Sequence, residues 1–139
     1  MRETVRISFT LDEGLYARLE QLRLHRGYVN RSEFLRDVLR DHLVQEAWRT
    51  AEGTVVGTLT LVYDHHAPGL SDRLTEIQHR HHHQILATTH VHLDHDVCVE
   101  VVILEGRASD IETLAAALQR ERGVLHARLC TSSTGRELR

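Results

Sequence analysis

His90-Val91-His92-Leu93-Asp94-His95-Asp96-Val97-Cys98-Val99-Glu100 is the stretch that decides the fold of this chain. On either side of its acidic triplet, from Leu86 to Leu93 and from Val97 to Leu104, apolar residues alternate with polar ones. That is the period of a half-buried strand. Side chains two apart share a face, so His90 and His92 point the same way. With Asp94-His95-Asp96 as a three-residue loop, Leu93 pairs with Val97, His92 faces Cys98, and His90 faces Glu100. These four polar side chains then share one face, and Val91, Leu93, Val97, Val99 and Val101 are left for the core. A two-residue loop would pair His92 with Val97 and bury polar groups among valines, which costs more.

Two imidazoles and a thiolate converging on a strand pair make three sides of a transition-metal site. Taken singly, a strand histidine is usually a hydrogen-bonded surface group, and a buried cysteine is usually a small hydrophobe. The setting shifts the balance toward metal. Of 12 histidines, nine lie between positions 65 and 95. Upstream, Leu70 to Gln84 has helical spacing with Leu70, Leu74 and Ile77 on one stripe, and His79 and His83 share another face. This helix leads directly into the first strand and is expected to pack across the same sheet, its histidines held away from that strand's ligand face. A histidine from another subunit's helix could close the site instead, making the metal a staple between chains.

At 139 residues the chain can hold one domain or two small ones. Hydrophobic content of 41% is that of a folded protein, and the small size favours oligomerisation. With no apolar run near about 20 residues and no cleavable leader, a soluble cytoplasmic protein without a membrane partner is expected. Two distant cysteines, Cys98 and Cys130, do not make a disulfide framework. The net charge of -3 does not advertise nucleic acid, but every cationic side chain is arginine, the planar fork suited to phosphate and guanine.

Near the start, Val5, Ile7, Phe9 and Leu11 alternate with Arg6, Ser8 and Thr10, predicting a short strand over 4–11. Asp12 offers an N-cap to a helix carrying Leu15, Leu19 and Leu22 and stopping at Gly27. A second helix begins at Asn30, with Glu33 three residues on and an apolar face of Phe34, Leu35, Val38, Leu39 and Leu43. Strand–helix–helix is too small for its own core. Two copies would pair their strands into an antiparallel ribbon, from which Arg6, Ser8 and Thr10 project in a shape that fits the DNA major groove. Free N–H groups at Asn30, Arg31 and Ser32 would suit a phosphate.

A polar hinge at 49–53 separates residues 1–48 from 54–139. The second part reads as a strand (54–63), the histidine helix, the hairpin, a helix (109–122) ended by Gly123, and a strand (124–130), with a frayed tail. The fold class is therefore α+β: a ribbon–helix–helix (βαα) domain followed by a ferredoxin-like or ACT-type βαββαβ sandwich. Scattered carboxylates such as Asp110 and Glu112 read as solvated helix faces. A hydrolytic zinc site would lack a general base beside the hairpin, Glu100 aside, so no enzyme is expected.

From about Val5 to Leu129 the chain resembles the NikR family of nickel-responsive ribbon–helix–helix repressors. The likeness rests on Arg6-Ile7-Ser8-Phe9-Thr10-Leu11-Asp12, Arg26-Gly27-Tyr28-Val29-Asn30-Arg31-Ser32-Glu33, Gln78-His79, His90-Val91-His92 and Cys98-Val99-Glu100. The resemblance implies a repressor of nickel uptake that is a homotetramer, a dimer of dimers on a two-fold DNA operator. It implies one high-affinity Ni²⁺ per subunit, held by His90, His92 and Cys98 of one chain and His79 of a neighbour. Gln78 and Glu100 match residues that orient those ligands, Arg6, Ser8 and Thr10 match base-reading positions, and Glu33 with Asp37 matches a secondary cation site. Arg80 interrupts a histidine run that is often continuous in the family, and Ala67 and Pro68 replace basic residues that some relatives place against DNA. The alternative is a metal storage or trafficking protein whose N-terminal arm only dimerises; sequence-selective duplex binding separates the two.

Overall fold

The computed structural model describes residues 3–139. Its elements run α1 (Glu13–His25), α2 (Arg31–Thr50), β1 (Val55–Asp64), α3 (Leu70–Arg80), β2 (Ile85–His92), β3 (Val97–Gly106), α4 (Ala108–Gln119) and β4 (Val124–Ser133). One turn of 3-10 helix, His82–Gln84, joins α3 to β2. The chain divides into two compact units, one ending at Arg40 and the other running Asp41–Arg139, so the boundary falls inside α2. The hinge expected at 49–53 begins within that helix, which continues through Thr50 before left-handed backbone at Ala51 (φ 54°) and Gly53 (φ 73°).

In the first unit the helix signals act as their chemistry dictates. Asp12 accepts a hydrogen bond from the Leu15 N–H at 2.9 Å and so satisfies an orphan donor of α1. Beyond the last turn Gly27 takes a left-handed φ of 77°, and the Tyr28 N–H returns to the Arg23 carbonyl at 3.0 Å. The Arg23 guanidinium donates to the carbonyls of Tyr28 and Val29, fixing the connection, and Asn30 caps α2 by accepting from the Glu33 N–H at 2.8 Å. Phe34 is buried against the Tyr28 ring. The ribbon strand does not form within one chain. Residues 3–12 join no strand, and Val5 and Ile7 stand 85% and 78% exposed. A strand draws its ladder bonds from a neighbour, and this unit offers none. No residue of α1 is buried, and Val38 and Leu39 of α2 are likewise exposed.

The second unit is a four-stranded antiparallel sheet in the order β2-β3-β1-β4. With its two helices this is the ferredoxin-like, ACT-like βαββαβ sandwich. Along β1 burial alternates strictly, so Val55, Gly57, Leu59, Leu61 and Tyr63 point to one side. There they meet Val102 and Leu104 of β3, Leu70 and Leu74 of α3, and Ile111, Leu114 and Leu118 of α4. Each fully buried leucine or isoleucine contributes about 1.5–3 kcal/mol of transfer free energy. Gly57 leaves room for Trp48: a β-carbon there would lie 3.3 Å from the indole. The indole N–H donates to the Ser132 carbonyl at 2.8 Å.

Three sequence expectations need correction. The core lies on the other face of the hairpin from the one expected: Cys98, Val102 and Leu104 are fully buried, whereas Val91 and Leu93 are exposed and Val97, Val99 and Val101 half-buried. Both helices pack on the side that carries the polar quartet, so the valine face is the one left open. Second, α3 ends at Arg80 rather than running to Gln84, because the chain must turn into β2; the shared helical face for His79 and His83 is lost. Third, β4 continues to Ser133, where β1 still offers partners through Val55, so Thr131–Ser133 are not frayed. Cys130 pairs with Thr58 and is exposed on the sheet face opposite Cys98.

Candidate metal centre

Register builds the site. Asp94 Oδ1 accepts from the N–H groups of Asp96 and Val97 at 2.8 and 2.9 Å, while the Leu93 N–H reaches the Val97 carbonyl at 2.9 Å. These bonds hold the Asp94 carboxyl below its ordinary range. The hairpin then pairs His92 with Cys98, Val91 with Val99 and His90 with Glu100, the register read from the sequence. On the other side of β3, β1 places Tyr63 beside Cys98 and Leu61 beside Glu100.

Cys98 is fully buried, yet its Sγ lies 3.2 Å from His92 Nδ1 and 3.3 Å from His65 Nδ1. The thiol is pushed up by burial and, secondarily, by the charge of Asp94. Among the described residues, the donor atoms of His65, His92 and Cys98 fall within 4.8 Å of one another. The His90 ring sits 5.0 Å from that of His92, and His90 Nε2 lies 3.3 Å from the Tyr63 hydroxyl. Burial, then Glu100 and Cys98, push the Tyr63 phenol up to about 12, so it stays protonated.

Gln78 and Glu100 come together, the amide donating to the carboxylate at 2.9 Å. They line a cavity of about 400 Å³ with His79, His82 and Thr88. His79 thus stands beside Gln78 and Glu100, but it is not part of the cluster at Cys98. His81 Nδ1 and His82 Nδ1 contact the carbonyls of Ile77 and His79 at 2.9 and 3.0 Å, engaging the last turn of α3.

Sequence reasoning missed His65. Its position follows from the third strand: Tyr63 pairs with Cys98 and Asp64 with Val97, so residue 65 leaves β1 beside the hairpin loop. The His65 N–H donates to the Asp96 carbonyl at 2.7 Å, which fixes that exit.

In the first unit, Arg6, Ser8 and Thr10 are exposed on the unpaired segment, and Asn30, Arg31 and Ser32 are exposed at the start of α2. Arg31 is engaged within the chain, donating to Glu20 and to the Tyr16 hydroxyl, each at 2.5 Å. Glu33 pairs with Arg36, and Asp37 accepts from Tyr28 at 2.6 Å and Arg40 at 2.8 Å. The Tyr28 bond, with Arg40 second, holds the Asp37 carboxyl below its usual range.

Comparison with known proteins agrees with this layout. Residues 56–132 match the family model described as the NikR C-terminal nickel-binding domain, and residues 5–46 match that of ribbon-helix-helix proteins, copG family. The chain belongs to the nickel-responsive regulator family. A relative from Solibacter usitatus, provisionally named a nickel-responsive regulator, is 48% identical over 96% of both chains. Relatives of the same name from Pelobacter propionicus and Geotalea uraniireducens are each 45% identical over 99% of both. An uncharacterized protein of Thermotoga maritima, 16% identical, superposes with a TM-score of 0.52 over 57% of this chain and 98% of its own, a likeness of fold alone. This regulator carries a nickel-binding domain and a ribbon–helix–helix DNA-binding segment, and the family is one of transcription regulators. No helix among the described residues is long and apolar enough to cross a membrane. A thiol flanked by imidazoles is a donor set that suits nickel.

Proposed function

We propose that this regulator represses nickel uptake, binding a two-fold operator as a homotetramer when each subunit holds one Ni²⁺ through His90, His92 and Cys98, with His79 of a neighbouring chain as fourth ligand. The observation that carries this reading is the register that sets His92 across from Cys98, with Sγ and Nδ1 3.2 Å apart. When bound, the ion supplies coordination bonds that tie the hairpin to whatever chain provides the fourth donor.

The chain's own residues do the rest. Cys98 must give up its proton to act as a ligand, and its burial makes that proton harder to remove. Gln78 and Glu100 hold each other beside His79 and His90 and orient the ligand shell. Residues 1–48 form the DNA-binding unit, 49–53 the hinge and 54–139 the metal core. In a ribbon made from two copies, Arg6, Ser8 and Thr10 read base edges, while Asn30, Arg31 and Ser32 meet phosphate at the N-terminus of α2. A cation at Glu33 and Asp37 would compete with Arg36 and Arg40 for the same carboxylates. A regulator working this way acts on DNA in the cytoplasm.

The test is a gel shift with Ni²⁺ on wild type, His79→Ala and Cys98→Ala. Both variants should fold and lose metal-dependent operator binding. Retention of that dependence by both would refute the mechanism.

A further inference from the structure

We propose that His66, His95 and Asp96 form a second transition-metal site, distinct from the Cys98 centre and taking a divalent first-row cation. Their donor atoms all lie within 4.8 Å of one another, although they come from two separate segments. His66 Nε2 stands 3.1 Å from Asp96 Oδ1, and the rings of His66 and His95 are 5.1 Å apart, centre to centre. All three side chains are exposed, and His66 and Asp96 border a cavity of about 350 Å³ shared with Asp64, Val97 and Leu125. An ion therefore has a path in and room to keep water as its remaining ligands.

One backbone hydrogen bond unrelated to any metal holds the two segments together, and bonds to aspartate side chains shape each segment. The His65 N–H donates to the Asp96 carbonyl at 2.7 Å, and the His66 N–H to Asp64 Oδ1 at 2.8 Å. On the hairpin side, Asp94 fixes the loop through the N–H groups of Asp96 and Val97. The turn after β1 also separates the two sites cleanly: His65 goes to Cys98, and the adjacent His66 goes to Asp96. A simple His66–Asp96 ion pair would explain two of the three groups. It leaves unexplained why the loop's own histidine converges on the same point.

Two imidazole nitrogens and a carboxylate oxygen, with no sulfur, suit Zn²⁺, Co²⁺, Ni²⁺ or Cu²⁺ and disfavour Cu⁺. Three exposed donors make a weaker site than one with a buried thiolate, so it should fill after the Cys98 centre. Because the donor sets do not overlap, the proposal does not depend on the function proposed above.

The experiment uses the full chain. Bound Zn²⁺ is counted by equilibrium dialysis in wild type, His66→Ala, His95→Gln and Asp96→Asn, and Cu²⁺ is followed by electron paramagnetic resonance in the same proteins. Each variant should bind one ion per chain fewer than wild type at saturation. The Ni²⁺–thiolate charge-transfer band of the first equivalent should be unchanged, and the copper signal with coupling to two nitrogens should disappear. His95→Gln alters only an exposed loop side chain, so it keeps the test valid if His66→Ala unfolds. Unaltered stoichiometry in His95→Gln and Asp96→Asn would overturn the proposal. So would loss of the weak equivalent only in His82→Ala and His83→Ala.

Discussion

Gly123→Ala should be among the most damaging single-methyl additions in the second unit. Gly123 has φ 104°, a backbone that a residue with a β-carbon adopts at a cost of about 1–3 kcal/mol. The added carbon would also lie 2.6 Å from Ala67 Cβ and 2.9 Å from Leu70 Cδ2. Both neighbours are short and held, Leu70 being 1% exposed, so relief must come from the backbone, adding about 1–3 kcal/mol of overpacking. The combined loss is roughly 2–6 kcal/mol. Gly53→Ala is the control, since it has a positive φ of 73° and nothing within 4 Å of the new carbon; it should lose only the conformational part. Urea unfolding at one protein concentration, followed by the fluorescence of Trp48, the sole tryptophan, reads the second unit. With a slope of about 2 kcal/mol/M, the Gly123→Ala midpoint should fall by roughly 1–3 M, and by clearly more than that of Gly53→Ala. Equal midpoints for the two variants would show that the contact with Ala67 and Leu70 carries no strain, and the reasoning would fail. The same variant should disturb His65 and His66, because the Gly123 carbonyl accepts from the Asp64 N–H at the end of β1.

Other outcomes follow from the same geometry. Hydrogen bonds from Arg23, then Arg31, hold the Glu20 carboxyl below its ordinary value, so its contribution is present at neutral pH and lost as pH falls through the lowered folded value. Glu20→Gln should flatten that acid limb in a thermal-melt series, and an unchanged limb would remove Glu20 from the account. Because the Cys98 thiol is pushed up, Ni²⁺ binding should release a proton near neutral pH and weaken on acidification. Calorimetry in buffers of different ionisation enthalpy should show heats that vary with buffer; buffer-independent heats would contradict it. Arg6→Ala should cost about 1–3 kcal/mol of operator affinity while changing nonspecific binding much less, and an equal loss on random duplex would make Arg6 a phosphate contact instead.

The hairpin register was legible in the sequence because a three-residue loop, unlike a two-residue one, keeps His90, His92, Cys98 and Glu100 on a single face. Which face the helices cover was not legible. Valines at 91, 97, 99 and 101 look like core by hydrophobicity alone, and the deciding information sits in β1, where Leu59, Leu61 and Tyr63 fall on the Cys98 side. His65 escaped for a related reason, since it joins the site through a pairing between strands far apart in the chain. The caps at Asp12 and Asn30 and the stop at Gly27 were readable because they act within four residues. The strand over 4–11 was written in the alternation, but the alternation says nothing of where its ladder partner comes from.

The placement of the two cysteines on opposite sides of one sheet has a chemical consequence. An oxidant or alkylating reagent arriving from water meets the Cys130 thiol first, while Cys98 is buried beside Tyr63 and the histidines around it. Mild oxidative exposure would therefore fall on Cys130 first and spare the thiol of the proposed nickel site. The same asymmetry lets a spectroscopic label be attached at Cys130 in the native protein without touching Cys98.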